Sequence, residues 1–132
     1  MRFTEGELTG AVEGAAKSVL ARQDRQVRKG RRTADDAWAA LSRYQRYRML
    51  AGLGDQLLGV LVALPDVEVT VGTRPTFTDE QVAAAVREQA GEELGGMRGK
   101  VMLKARVALV QLALSHVPPR ADPDALILPD HG

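Results

Sequence analysis

The chain has 132 residues, 45% hydrophobic and 27% charged, a composition typical of a globular domain with a sizeable core. Its 18 basic and 17 acidic residues leave a net charge of +1, so the whole chain is not a polyelectrolyte. The lack of cysteine excludes disulfides, Cys-ligated zinc, iron–sulfur clusters and cysteine nucleophiles. We find neither a signal-peptide core nor an apolar run of the roughly 18 residues that a membrane span needs. We therefore expect a cytoplasmic protein, or a component of a particle assembled in the cytoplasm, without membrane contact.

The first predicted helix begins after Thr4, because Thr4 and Glu7 match the T-x-x-E capping box. Apolar residues then recur at three- and four-residue steps as far as Leu20, which indicates one buried helix face. Residues 22–33 are strongly basic and lack such a stripe, so we predict a frayed helix end followed by an exposed loop. Six side chains of this segment are suited to phosphate contact: Arg22, Arg25, Arg28, Lys29, Arg31 and Arg32.

The middle of the chain carries the strongest helical signal. Thr33 is predicted to cap a short helix, and Ser42 with Gln45 repeats the capping-box pattern. Apolar residues keep a three- and four-residue spacing over positions 44–64, about six turns of helix. Pro65 ends this helix, because proline cannot continue the hydrogen-bond pattern.

Residues 66–77 are predicted to form a short strand and a turn. Positions 67–71 alternate apolar and polar residues and are rich in β-branched side chains. A lone strand leaves its backbone polar groups unpaired, so it needs a partner. The other candidate strand covers residues 125–128. We expect the two to pair, either within one chain or between subunits.

The last third of the chain is predicted to contain two more helices. Thr78 caps the first, and Gly95 with Gly96 interrupts it. The second covers residues 97–117 and is apolar nearly all round, which is typical of a helix buried on most sides. Residues 118–132 follow two prolines and are predicted to be an extended tail.

The predicted fold class is mostly α, a compact bundle of four to five helices with one short strand or a two-stranded ribbon. Residues 1–117 form a single helical domain in this interpretation. The helices over 44–64 and 97–117 form its centre. The predicted core residues are Trp38, Leu50, Leu53, Leu57, Leu61, Val86, Val101, Leu109 and Leu112.

Residues suited to catalysis or metal binding are scarce. The chain has two histidines, His116 and His131, without metal-ligand spacing, and three serines. The glycine-rich residues 95–100 lack the first glycine and the Ser/Thr of a phosphate-binding loop. We therefore expect no enzymatic activity, no cofactor and no metal site.

The function predicted first is that of a non-enzymatic assembly or adaptor subunit that acts through protein–protein contacts, with a protein partner or with itself as a homo-oligomer. Residues 1–50 carry 11 basic and 6 acidic side chains and residues 51–132 carry 7 and 11, a polarity that favours oriented contacts. A phage virion or connector component is one analogy, and 14 arginines against 4 lysines are typical of a GC-rich bacterial or phage genome. The candidate contact residues are Leu126, Ile127, Leu128, Leu103, Val107, Val110 and Leu114.

The alternative function is that of a small nucleic-acid-binding accessory protein. It uses the basic segment 22–32 on phosphates. Arginines 43, 46 and 48 interleave with Tyr44 and Tyr47, whose rings suit stacking on bases. The same tyrosines also fit the core stripe of the long helix, which is the commoner fate of aromatic residues at helical spacing.

Overall fold

The structure, a computed structural model, describes residues 1–121, apart from the side chains of residues 92 and 93. Within this range the chain forms six α-helices and a short 3-10 helix, Gly91–Leu94, which joins the last two. The predicted mostly-α class is thereby confirmed. The α-helices are α1 (Glu5–Gln23), α2 (Arg25–Arg28), α3 (Ala34–Ala40), α4 (Arg43–Ala63), α5 (Asp79–Ala90) and α6 (Gly96–Ser115).

Side chains cap three of the four longest helices, whereas Gly95 at the N-cap of α6 forms no side-chain hydrogen bond. Complete capping boxes begin α1, α4 and α5, with Thr4, Ser42 and Thr78 as the N-caps. Thr33 caps α3 by accepting a hydrogen bond from the Asp36 N–H at 3.0 Å. Each cap satisfies backbone N–H groups that have no partner inside the helix.

The core lies among α1, α4, α5 and α6. It combines small residues of α1 with branched residues of the other three helices, including Ala11, Ala15, Leu57, Leu61, Val82, Val86, Val110 and Leu114. Four of the predicted core residues are buried: Trp38, Leu57, Leu61 and Val86. Leu50, Leu53 and Leu109 are half-buried against the core, and Leu112 is also half-buried.

The prediction of Val101 as a core residue is wrong. Its side chain is 68% exposed, and the first half of α6 buries little besides Gly99. The buried side chains of α6 are Val110, Ala113 and Leu114, in its second half. The apolar character on all sides of this helix therefore does not mean that all sides are buried.

The predicted strand over residues 67–71 is wrong, since no residue within 1–121 is assigned to a strand. Val67 and Val69 still pack against the core, whereas Val71, the third residue of the alternation, is exposed. The chain then turns, with the Thr73 N–H donating to Thr70 O at 3.0 Å and Gly72 at a φ of +84°. The predicted pairing with residues 125–128 lies outside the described residues.

Arg120 attaches the end of the described chain to this turn. The Gly72 N–H donates to Arg120 O at 2.9 Å, and the Arg120 N–H donates to Thr73 O at 2.7 Å. Residues 118–121 therefore run beside the turn without forming helix or strand. No helix within residues 1–121 combines the length and the apolar character that crossing a bilayer requires.

Candidate functional site

An apolar stripe runs along the exposed side of α4. Tyr44, Tyr47 and Val62 are 64%, 66% and 61% exposed, and Leu58 and Ala51 are exposed as well. Steps of three, four and seven residues separate them, so they share one side of the helix. We call Tyr44, Tyr47, Ala51, Leu58 and Val62 the α4 surface.

The two tyrosines leave the core stripe because of helical geometry. Residues 44, 47, 50 and 53 are separated by three consecutive steps of three residues, each about 60° short of a full turn, so the predicted stripe winds about half-way around the helix. The second half of α4 turns Leu57, Val60 and Leu61 into the core, and this places Tyr44 and Tyr47 outside it. Tyr44 and Tyr47 are therefore exposed, although aromatic residues at helical spacing more often belong to the core.

Charged residues flank the α4 surface. The Arg48 guanidinium lies over the Tyr44 ring, 5.9 Å from its centroid, and donates to Tyr44 Oη at 3.2 Å. Asp55 is exposed farther along the helix. Among residues 1–121 neither Arg48 nor Asp55 forms an ion pair. The rim of the surface thus carries one free charge of each sign.

An apolar groove of about 330 Å³ lies between α1 and α4, next to the α4 surface. Leu58 belongs to both, and Gly54 leaves a gap because it has no side chain. The groove is also lined by apolar residues, Leu8, Val12 and Leu50. Its polar lining residues are Glu5, Thr9 and Glu13. We call this the α1–α4 groove.

A second exposed apolar patch lies at the start of α6. Met97 and Val101 are 79% and 68% exposed, and Met102 is also exposed. We call these three residues the α6 surface. Sequence reasoning missed this patch because it assigned Val101 to the core.

The predicted partner-binding residues of α6 divide into two groups. Leu103 and Val107 line a groove of about 560 Å³ between α5 and α6, which leaves them available for contact. Val110 and Leu114 are buried in the core and present no surface to a partner, so their prediction as partner-binding residues is wrong. The other three predicted residues, Leu126, Ile127 and Leu128, lie outside the described residues.

The basic segment is more ordered than predicted. The predicted loop over residues 22–33 instead contains the end of α1, the short helix α2 and a turn. Asp24 explains this order, because one carboxylate oxygen accepts from the Val27 N–H at 3.0 Å and the other from Arg32 at 2.5 Å. Both hydrogen bonds lower the pKa of Asp24, and the one from Val27 contributes more than the one from Arg32.

The cations of this segment have two different roles. Arg32 is half-buried and paired with Asp24, so it stabilises the turn. Its Nε is buried without a hydrogen-bond partner among the described residues. The other five candidates are exposed to solvent: Arg22, Arg25, Arg28, Lys29 and Arg31.

A polar groove of about 580 Å³ lies between α1, α3 and the end of α6. Ser18 Oγ and His116 Nε2 are 3.0 Å apart in this groove, although 98 residues separate them in sequence. Gly14 makes the contact feasible, because a Cβ at this position would collide with the His116 ring. Sequence reasoning missed the pair, and the only signal for it was the glycine spacing of α1.

Within the part of the chain that the structure describes, no third group joins the Ser18–His116 pair to complete a nucleophilic site. Such a site needs a third group that orients the base. Among the described residues, the hydrogen bond to Ser18 is the only one that His116 forms through its ring. Lys17, also in the groove, pairs with Asp35 at 3.1 Å and Glu13 at 3.4 Å, and the hydrogen bond to Asp35 contributes most to raising the pKa of Lys17.

Known proteins offer no guide to the function of these surfaces. No protein-family model, curated protein or solved structure matches the chain. Among the described side chains, which exclude those of residues 92 and 93, no three from His, Asp or Glu cluster in a way that would hold a metal ion. The functional argument therefore rests on the surfaces of the chain itself.

Proposed function

We propose that the protein is a non-enzymatic helical subunit that assembles with other protein chains through the α4 surface and the α6 surface. The observation that carries this proposal is the concentration of exposed apolar side chains on these two helices. Among the described residues, seven of the eight large exposed hydrophobic side chains belong to α4 and α6. Solitary exposed apolar residues are ordinary, whereas grouped ones on ordered elements mark contact sites.

The residue types also suit protein recognition. Tyrosine, methionine and arginine are enriched at protein interfaces, and tyrosine and arginine dominate their energetic hot spots. The α4 surface carries two tyrosines beside Arg48, and the α6 surface carries two methionines beside Val101. Helices fix the backbone positions of these residues, so binding does not have to order the main chain. Two separate surfaces allow one chain to contact two neighbours, as an assembly subunit or adaptor requires.

Site-specific photo-crosslinking tests this proposal. A benzophenone amino acid replaces Tyr44 or Val101 in the full chain, and Gln26, which is exposed on α2, provides the control position. Irradiation of cells that express the chain is expected to give discrete protein adducts from positions 44 and 101, and none above background from position 26. Adduct patterns that do not differ among the three positions would refute the proposal.

Nucleic-acid binding is the second candidate function. The observation that favours it is the exposure of five ordered cations in the basic segment, Arg22 to Arg31, together with two exposed tyrosines among the arginines of α4. Five phosphate contacts predict a slope of about −4.5 in log K against log[salt], from roughly −0.9 per contact on duplex DNA. Titration of a labelled duplex at several salt concentrations measures this slope. A slope near zero would refute this candidate.

A further inference from the structure

The geometry points to a second copy of this chain as the occupant of the α4 surface, packed antiparallel, with its Tyr47 in the α1–α4 groove. The inference rests on the proposed function and deepens it, because it names the neighbour that one of the two surfaces contacts. Three features of the chain support this antiparallel pair: the spacing of the apolar residues, the placement of two charges and the shape of the groove.

Tyr44 and Leu58 of the α4 surface are placed symmetrically about Ala51. Tyr44 lies seven residues before Ala51 and Leu58 lies seven after it, so the three occupy one face at heptad spacing. In an antiparallel pair whose twofold axis passes Ala51, Tyr44 of each copy meets Leu58 of the other. The exposed methyl group of Ala51 permits close approach at the axis. Every contact of such an isologous pair occurs twice.

The flanking charges favour the antiparallel arrangement. Arg48 lies three residues before Ala51 and Asp55 lies four after it, on the same flank of the α4 surface. In the antiparallel pair, the twofold axis brings Arg48 of each copy beside Asp55 of the other. A parallel pair would leave these opposite charges on opposite sides of the interface. The α4 surface is therefore electrostatically complementary to itself in one orientation only.

The α1–α4 groove provides a place for Tyr47. Tyr47 lies four residues before Ala51 and Gly54 lies three after it, so antiparallel pairing directs Tyr47 of each copy at Gly54 of the other. The missing side chain of Gly54 opens the groove at this point, and its apolar lining suits an aromatic ring. The polar lining residues suit the tyrosine hydroxyl, since tyrosine combines an apolar ring with a polar end.

The inferred contact consists of one helix face and one groove from each copy, so it is a small interface. Interfaces of this size are held by a few central side chains. The pair of Tyr47 side chains fills this role, and each inserts into the groove of the other copy.

Two glycines of α4 provide a matched test. A Cβ at Gly54 would lie 3.7 Å from Leu58 Cδ1, an ordinary contact, and a Cβ at Gly52 would meet no atom within 4 Å. Both Gly→Ala changes therefore fit the folded chain, but only Gly54→Ala narrows the groove. In sedimentation equilibrium of the full chain, Gly54→Ala is expected to weaken self-association at least about tenfold, and Gly52→Ala less than about twofold.

A charge exchange tests the orientation without altering the core. Arg48→Asp or Asp55→Arg alone places like charges together across the antiparallel interface, and each is expected to weaken self-association at least about threefold. The double variant exchanges the two signs and is expected to restore the affinity. Circular dichroism of each variant confirms that the chain remains folded.

A disulfide locates the twofold axis. The natural chain has no cysteine, so a single introduced cysteine has no competitor. Ala51→Cys, at the axis, is expected to form a covalent dimer under mild oxidation. Gln56→Cys, exposed on another side of α4, is the control and is expected to remain a monomer on a non-reducing gel.

A full chain that remains monomeric up to millimolar concentration would overturn this inference. Self-association that is unaffected by Gly54→Ala and by the charge changes would also overturn it. If that association is lost in Val101→Asp, the α6 surface carries the contact and the proposed function survives. The absence of specific crosslinks from both position 44 and position 101 would refute the proposed function itself.

Discussion

Replacement of Arg120 by alanine is expected to destabilise the fold by about 2–3 kcal/mol, because it leaves the Glu7 carboxylate without its cation. Arg120 Nε donates to Glu7 Oε2 at 3.0 Å and Nη2 donates to Oε1 at 3.3 Å. The same carboxylate accepts from the Thr4 N–H at 2.9 Å in the capping box of α1. The side chain of Arg120 thus connects the end of the described chain to the start of the first helix.

The magnitude follows from the exposure of the two partners. Removing one partner of a fully buried ion pair costs about 3–5 kcal/mol, whereas an exposed pair contributes at most about 1 kcal/mol. The Glu7 side chain is 6% exposed and that of Arg120 is 30% exposed, so the pair lies between these limits. At about 4 °C per kcal/mol for a chain of this length, the expected decrease in Tm is roughly 8–12 °C.

Urea denaturation followed by circular dichroism measures this loss. Arg98→Ala, at an exposed position of α6, is the matched control and is expected to change the free energy of unfolding by less than about 0.5 kcal/mol. A double-mutant cycle with Glu7→Gln and Arg120→Met is expected to give a coupling of at least about 1 kcal/mol. If Arg120→Ala falls within about 0.5 kcal/mol of the natural chain, the assigned role of this ion pair is wrong.

Three further predictions concern pH and backbone packing. Hydrogen bonds from Val27 and Arg32 lower the pKa of Asp24, so its stabilising contribution is present above its ordinary pKa of 3.8 and is lost as pH falls through the lower folded-state pKa. The hydrogen-exchange protection factors of residues 25–32, which are corrected for the intrinsic pH dependence of exchange, should therefore fall in acid, and Asp24→Ala should abolish this fall. The hydrogen bond to Asp35 raises the pKa of Lys17. The contribution of this lysine to folding stability is therefore complete below pH 10.5 and is lost as the pH rises through the higher folded-state pKa. Lys17→Met should remove this alkaline loss from thermal melts. A Cβ at Gly99 would collide with the Leu94 backbone, so Gly99→Ala should destabilise the fold by at least about 1 kcal/mol in urea titrations, whereas Gly52→Ala should stabilise it by about 0.5–1 kcal/mol.

Local chemistry made the helix boundaries predictable. The capping boxes at Thr4, Ser42 and Thr78 involve residues only three positions apart, so sequence alone identifies them. The long helix was predicted over residues 44–64 and is observed as Arg43–Ala63, a difference of one residue at each end. Asp24 was not singled out, because its role depends on Arg32 eight residues later as well as on Val27.

Features that depend on how the helices dock were not predictable. An alternating pattern over residues 67–71 does not specify whether a partner strand is available, and the described chain has no strand there. The exposure of Tyr44 and Val101 depends on where the neighbouring helices end. The Ser18–His116 contact depends on the close approach of α6 to Gly14. Sequence therefore predicted the elements, and tertiary packing determined which apolar residues remained on the surface.

The most direct test of self-association through these surfaces is sedimentation velocity of the full chain over a wide concentration range. We expect a mass that rises above that of one chain with concentration, and a combined Tyr47→Asp and Val101→Asp variant that remains at the mass of one chain. A mass of one chain at every concentration, or association that the combined variant leaves unchanged, would contradict the claim that these two surfaces drive self-association.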